Sequence, residues 1–320
     1  MKQYIIRRLL NMIPIMLGIT ILIFFLLKLS PGDPLTMQMN PKMSIETKEA
    51  LREKYGFNDP VYVQYFKWLG RAVRLDLGES IQFAQPVTKV LNTYIWNTFL
   101  LAITSLILTY LIAIPLGIIS ATKQYSGFDI FVTVFALVGI SMPVFFFALI
   151  MIKFFSVDLR ILPISGMRTV GVEFTGIGQV LDIIKHMILP LVVYTLSGLA
   201  GLMKFTRSSM LEVIRQDYIR TARAKGLKEK VVIYKHAFRN ALIPIVTFLG
   251  YALAGLFVGG IISEQIFVWP GIGKIYYQAI NNRDYNLIIG YNVIIAFLVL
   301  IGNLIADVMY AVVDPRIRLS

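Results

Sequence analysis

Apolar residues gather in six runs, at roughly 9–29, 98–121, 130–155, 187–203, 241–263 and 287–310. A helix needs about 20 such residues to cross the hydrocarbon core of a bilayer; the fourth run is the shortest. Pro14, Gly18, Pro115, Gly139 and Pro143 interrupt these runs without adding charge. Membrane helices tolerate such residues because neighbouring helices satisfy the freed backbone groups, and they mark candidate kinks or hinges. In the fifth run Gly255-x-x-x-Gly259 forms a small-residue stripe that lets helices approach closely. A tight polar turn, Thr122 to Asp129, joins runs two and three, and residues 156–186 read as a Gly-rich loop (Gly166, Gly171, Gly176, Gly178).

The polar segments differ in character. Residues 35–97 form a sizeable polar segment between the first two runs, with a helix from Ser44 to Tyr55 that has Ser44 as N-cap and Gly56 as its end. Asp59-Pro60 opens a second helix, which places Val61, Tyr65, Trp68, Leu69 and Ala72 on one face. The segment 204–240 is instead strongly basic, with ten Lys/Arg against the three acids Glu212, Asp217 and Glu229. Met210, Val213, Ile214 and Tyr218 recur there at helical spacing, so one helix is expected to run to Lys225, with Gly226 as its C′ stop. A second helical run, Lys230 to Asn240, leads into the fifth apolar run.

Composition sharpens the picture. The 320 residues are 57% hydrophobic and 15% charged, against about 45–50% and 25% in a soluble domain. The net charge of +13 sits at the ends of apolar runs, which suits membrane orientation and not a nucleic-acid groove. With the termini inside, the inside segments hold 16 Lys/Arg in 63 residues and the outside segments 13 in 122. The positive-inside rule therefore puts both termini in the cytoplasm. Residues 1–29 are too apolar for too long to be a secretory leader, and Leu29 to Pro34 offers no small-x-small cleavage site. With no cysteine, disulfides and thiolate metal sites are excluded.

The residues Asp217-Tyr218-Ile219-Arg220-Thr221-Ala222-Arg223-Ala224-Lys225-Gly226-Leu227, followed by Ala237 to Pro244, resemble the cytoplasmic EAA loop of importer-type ABC permeases, in its peptide/nickel branch. Arg220 stands where the general pattern has an acid, and Pro244 lies farther from Gly226 than usual; both departures suit the peptide branch. Ser263 to Gly273, the closing Asp314 to Arg318 and Pro31-Gly32-Asp33-Pro34 are similar to the same family, so the likeness covers essentially the whole chain. The N-terminal segment favours the first of that family's two permease subunits.

The resemblance implies an all-α membrane protein of six transmembrane helices, with the type I permease fold of ABC importers. Its parts are 1–29 (tail and first helix), 30–97 (extracytoplasmic helical segment), 98–310 (core with coupling loop 204–240) and 311–320 (cytoplasmic tail). It also implies a bacterial or archaeal plasma membrane and an oligopeptide cargo, with dipeptides, nickel chelates, glutathione and oligosaccharides as alternatives. The implied partners are a second permease, two cytoplasmic ATPases that use ATP and Mg, and an extracytoplasmic solute-binding protein. No cofactor is expected on this chain. Arg215, Gln216 and the run Asp217 to Gly226 are the expected ATPase-coupling residues, with Tyr218, Ala222 and the stem of Arg223 as contacts.

Missing chemistry agrees. There is no G-x-x-x-x-G-K-[ST], and His186 and His236, the two histidines, begin no H-E-x-x-H. No catalytic residue is therefore expected here. A charge at mid-membrane costs about 2.5–3.5 kcal/mol on the insertion scale, and the runs nearly avoid it: Lys28, Lys153 and Asp307 lie near run ends. That disfavours the competing class, a secondary transporter or channel working alone; a scaffold without cargo is the third possibility. Tyr251, Ser263, Glu264 and Asn292 are candidate cargo-path residues, chosen for polarity at run interiors or mouths.

Single cysteines at Lys48 and Lys228 of this cysteine-free chain should label from opposite sides of intact cells. Equal labelling of both by an impermeant reagent would contradict the six-span topology.

Overall fold

The computed structural model describes residues 2–29, 44–54 and 58–313. Among the described residues, four helices are long and apolar enough to cross a membrane without interruption: α1 (Lys2–Leu29), α4 (Val87–Thr122), α7 (Ile177–Ile214) and α13 (Tyr285–Val313). Two bent units bring the number to six if each is one span. In the first, α5 (Gly127–Ser141) meets α6 (Val144–Met151) and its π-helical continuation Ile152–Asp158 at a 104° turn. The second runs from α9 (Glu229–Val231) through a π-helical stretch, Val232–Ala237, into α10 (Phe238–Ala254), with a 49° bend at Pro244.

The third apolar run is therefore not the single helix expected over 130–155. Pro143 has no N–H and fixes its own φ, while Met142 before it is extended, with ψ 123°. The helix ends there for both reasons. The fourth run marks only the middle of α7, whose 38 residues reach about 57 Å at 1.5 Å per residue. That greatly exceeds a hydrocarbon core of about 30 Å, so α7 projects beyond it. α4 likewise starts at Val87, well before its apolar run.

The fifth run is also shorter than expected. α10 stops at Ala254, and Gly255 caps it while Gly259 has φ +75°. The two glycines lie in the turn before α11 (Ile261–Ile266) and α12 (Ile272–Asn281), not on a helical stripe. Close packing occurs elsewhere. A Cβ added at Gly302 of α13 would lie 2.4 Å from the Cα of Ala254, and one at Gly250 of α10 would lie 2.5 Å from the Cβ of Ala306.

Residues 44–54, 58–86 and 156–176 lie at one end of the bundle, the cap end; the other is the basic end. At the cap end α2 (Ile45–Lys54) is capped by Ser44, whose Oγ accepts the Thr47 N–H at 3.3 Å. α3 (Val61–Ala72) buries Tyr65 and Trp68 against Phe24 of α1, and its Tyr65 hydroxyl meets Thr20 Oγ1 at 3.0 Å. A short hairpin, β1 (Glu79–Ser80) with β2 (Gln85–Pro86), is tied to the start of α13 by Asp284. That fully buried carboxylate accepts from Ser80 Oγ and from the N–H groups of Gln82 and Leu287. At the basic end Arg8 of α1 pairs with Asp307 of α13 at 2.9 Å. The expected Gly56 stop, the turn at residues 31–34 and the closing residues 314–318 lie outside the described residues.

The α10–α13 contact generates a direct test. Gly302→Val forces the two backbones apart and should cost about 1–3 kcal/mol, as overpacking does, measured as a lower midpoint of thermal unfolding in detergent. Gly18→Ala, where nothing lies within 4 Å, should leave the midpoint unchanged. Equal midpoints for Gly302→Val and the parent chain would contradict the close crossing.

Candidate coupling site

The basic segment does not form one helix. α7 ends at Ile214, Arg215 caps it, and Gln216 is extended at φ −72° and ψ 149° before α8 (Asp217–Ala224) begins. No Gly or Pro marks this break, so the expected continuous helix to Lys225 is corrected at Arg215-Gln216. The new helix direction decides which residues turn inward. Ile219 and Ala222 are buried; Asp217, Tyr218, Arg220, Thr221, Arg223, Ala224, Lys225 and Gly226 are exposed. The expected contact at Ala222 thus faces the chain's own interior, while Tyr218 and Arg223 remain on the outside.

The seat of α8 is built by three other helices. Ile219 and Ala222 pack with Ile118 and Ala121 of α4, with Met210 of α7, and with Val232, Ile233, Ala237 and Ala241 on the approach to α10. Lys225 is the C-cap residue, and Gly226 takes φ +75°, the left-handed conformation that a C′ position needs and a Cβ disfavours. Arg223 then reaches across the turn and donates through Nε and Nη2 to the two Glu229 oxygens, at 3.1 and 2.8 Å. This fork holds the turn between α8 and α9. Arg220 and Asp217, 3.4 Å apart and both well exposed, add little, as surface pairs do.

The structure distributes the four cargo-path candidates widely. Tyr251 is exposed on α10. Asn292, partly buried, donates to the Ile288 carbonyl at 2.8 Å and meets the Tyr276 hydroxyl at 3.3 Å. Ser263 and Glu264 are buried in α11. The Glu264 carboxylate accepts from Thr98 Oγ1 at 2.8 Å and from the Lys274 N–H at 3.0 Å, with the Tyr194 hydroxyl at 3.5 Å. Glycines at 259, 271 and 273 leave room for it, and a Cβ at Gly271 would come within 2.4 Å of its oxygen. This carboxylate closes the junction of α4, α7 and the α11–α12 turn.

Two features escaped the sequence reading. A groove of about 250 Å³ runs between α4, α7 and α10, with Ser105, Thr109, Tyr110, Tyr194, Phe248 and Gly255 among its lining residues. The four hydroxyls, of Ser105, Thr109, Tyr110 and Tyr194, are spread over two apolar runs far apart in the chain, so no local pattern announces them. The second is Asp129, read only as the end of a polar turn; it is buried and paired with Arg207 of α7.

Comparison with known proteins agrees with this geometry. The family described as "Binding-protein-dependent transport system inner membrane component" matches residues 113–319, and the N-terminal model of such membrane components matches residues 1–82. The oligopeptide transport system permease protein AppB of Bacillus subtilis (strain 168) is 48% identical over 319 residues, covering 99% of this chain and all of the relative. The dipeptide transport system permease protein DppB of Escherichia coli (strain K12) is 37% identical over 337 residues, covering 99% of each. In fold, the chain is similar to an inward-facing structure of the MetNI methionine ABC transporter. The TM-score is 0.53 at 19% identity, covering 71% of this chain and 97% of that one. The six-segment helical architecture, the seated helix α8 and the full-length matches place this chain in the binding-protein-dependent transport system inner membrane component family, as a multi-pass permease of the ABC importer type.

Proposed function

We propose that the chain is the first-type permease subunit of an ATP-driven peptide importer, and that α8 is the helix on which its ATPases act. The observation that carries this reading is α8 itself, a basic helix whose inner face rests on α4, α7 and α10 and whose other residues are exposed. The basic end lies in the cytoplasm, with both termini, and the cap end faces the solute-binding protein. A second permease completes the pore. ATP and Mg belong to the two ATPase partners, and this chain performs no hydrolysis.

The cargo reading rests on the relatives, named for oligopeptides and dipeptides, and puts oligopeptides first. The groove between α4, α7 and α10, with its hydroxyls on an apolar wall, suits a peptide of variable sequence. Tyr251 and Asn292 remain candidates for the path, whereas Ser263 and Glu264 act by holding its wall. The mechanism is two-state. Closure of the ATPase pair moves α8, and the helices above it tilt from inward-open to outward-open. ATP shifts that equilibrium only by its different affinity for the two states.

Gly226→Val tests the reading, because a Cβ in the left-handed region costs about 1–2 kcal/mol and so disturbs the end of α8. The subunit should insert and the complex assemble, while peptide uptake falls about tenfold or more and ATP hydrolysis stops responding to loaded binding protein. Wild-type uptake by an assembled Gly226→Val complex would show α8 to be a solvated linker.

A further inference from the structure

Seven residues before the end of α7, Arg207 turns into the protein and grips Asp129 on the first turn of α5. Its Nε donates to Oδ1 at 2.7 Å and its Nη2 to Oδ2 at 2.9 Å. The same carboxylate accepts from Ser120 Oγ on α4 and from the Tyr125 N–H at 3.0 Å. Asp129 in turn gives its own N–H to Ser126 Oγ, the cap of α5, at 3.3 Å. The Asp129 side chain is only 4% exposed and that of Arg207 26%. One carboxylate thus joins α4, the α4–α5 turn, α5 and α7, with the planar fork that gives an arginine–carboxylate pair its geometric specificity.

The joint interleaves with the seat of α8. Along α4, Ile118 and Ala121 carry the seat, while Gly117 and Ser120 face α7 and Asp129. Along α7, Met210 carries the seat, while Thr206 meets Gly117 and Arg207 holds Asp129. A Cβ at Gly117 would lie 2.7 Å from the Thr206 Cβ and 2.9 Å from the Met203 carbonyl oxygen, so the two helices meet there nearly backbone to backbone. Apolar contact is non-directional and lets helices slide. A bidentate ion pair fixes their register.

Resting on the reading of α8 as the ATPase-coupled helix, we propose that Asp129 and Arg207 are positioning residues for transport. They lock the basic ends of α4, α5 and α7 into one body, so that displacement of α8 is delivered to the α4 and α7 walls of the groove. Without the lock, α8 still loads α4 and α7 through its seat, but the two helices slip past one another and the displacement reaches the groove walls weakened.

The test uses the full transporter complex in proteoliposomes, with a reporter cysteine at Ala102 on the α4 wall of the groove in the otherwise cysteine-free chain. The labelling rate is compared with and without ATP and vanadate. In the parent complex the nucleotide should change that rate. Arg207→Lys keeps the charge and loses the fork, so the complex should assemble and hydrolyse ATP while the response at Ala102→Cys shrinks about tenfold, within the range of coupling effects of intermediate residues. Asp129→Asn should act in the same direction. A full nucleotide response in Arg207→Lys, or a defect confined to assembly with a full response in the assembled fraction, would overturn the joint. Gly226→Val run alongside separates the two claims. If it too keeps the full response, the reading of α8 falls and the joint with it; if only Arg207→Lys keeps it, the joint alone falls.

Discussion

Burial of two side chains, Ile219 and Ala222, holds α8 onto the basic end of this protein. α8 has eight residues, far fewer than the about 12–15 below which an isolated helix is marginal in water. Its exposed Arg220–Asp217 pair contributes about 0–1 kcal/mol, whereas full burial of an isoleucine contributes about 1.5–3 kcal/mol. The helix therefore exists because Met210, Val232, Ile233 and Ala237 give it a surface. A helix held by a seat on three others cannot be displaced without loading them, and its outward face is left free to be gripped.

Above that seat three buried carboxylates meet the rule that lipid imposes, each satisfied within the chain. Asp129, Glu264 and Asp284 are buried and each accepts several hydrogen bonds. They sit where helices change direction: Asp129 at the turn into α5, Glu264 in the short α11, Asp284 at the start of α13. Charge enters this protein at junctions, and the long apolar stretches of α4, α7 and α13 between them carry the span.

Much of this was legible in the sequence. Six apolar runs gave the six segments, Ser44 its cap, Tyr65 and Trp68 the inward face of α3, and Gly226 its left-handed stop. What failed shares one cause: hydropathy reports burial in lipid, not helix direction. The 104° turn at Met142–Pro143 falls inside one apolar run, so Pro143 read as a kink. α7 outruns its apolar centre because its polar ends remain helical outside the core. The break at Arg215-Gln216 has no glycine or proline to mark it, and it rotated Ala222 from an expected contact into the seat. Polarity at a run's mouth says nothing of neighbours, so the cluster of Thr98 and three glycines around Glu264 was not visible in the sequence.

The central claim is that α8 offers a partner one face and the chain itself the other. Single cysteines at each position from Asp217 to Gly226, labelled in the isolated subunit and in the complex with its ATPases, test it most directly. The account expects Ile219→Cys and Ala222→Cys to be unreactive in both states, and Tyr218→Cys, Arg220→Cys and Thr221→Cys to be reactive alone and protected in the complex. Equal reactivity of those three with and without the ATPases would contradict it.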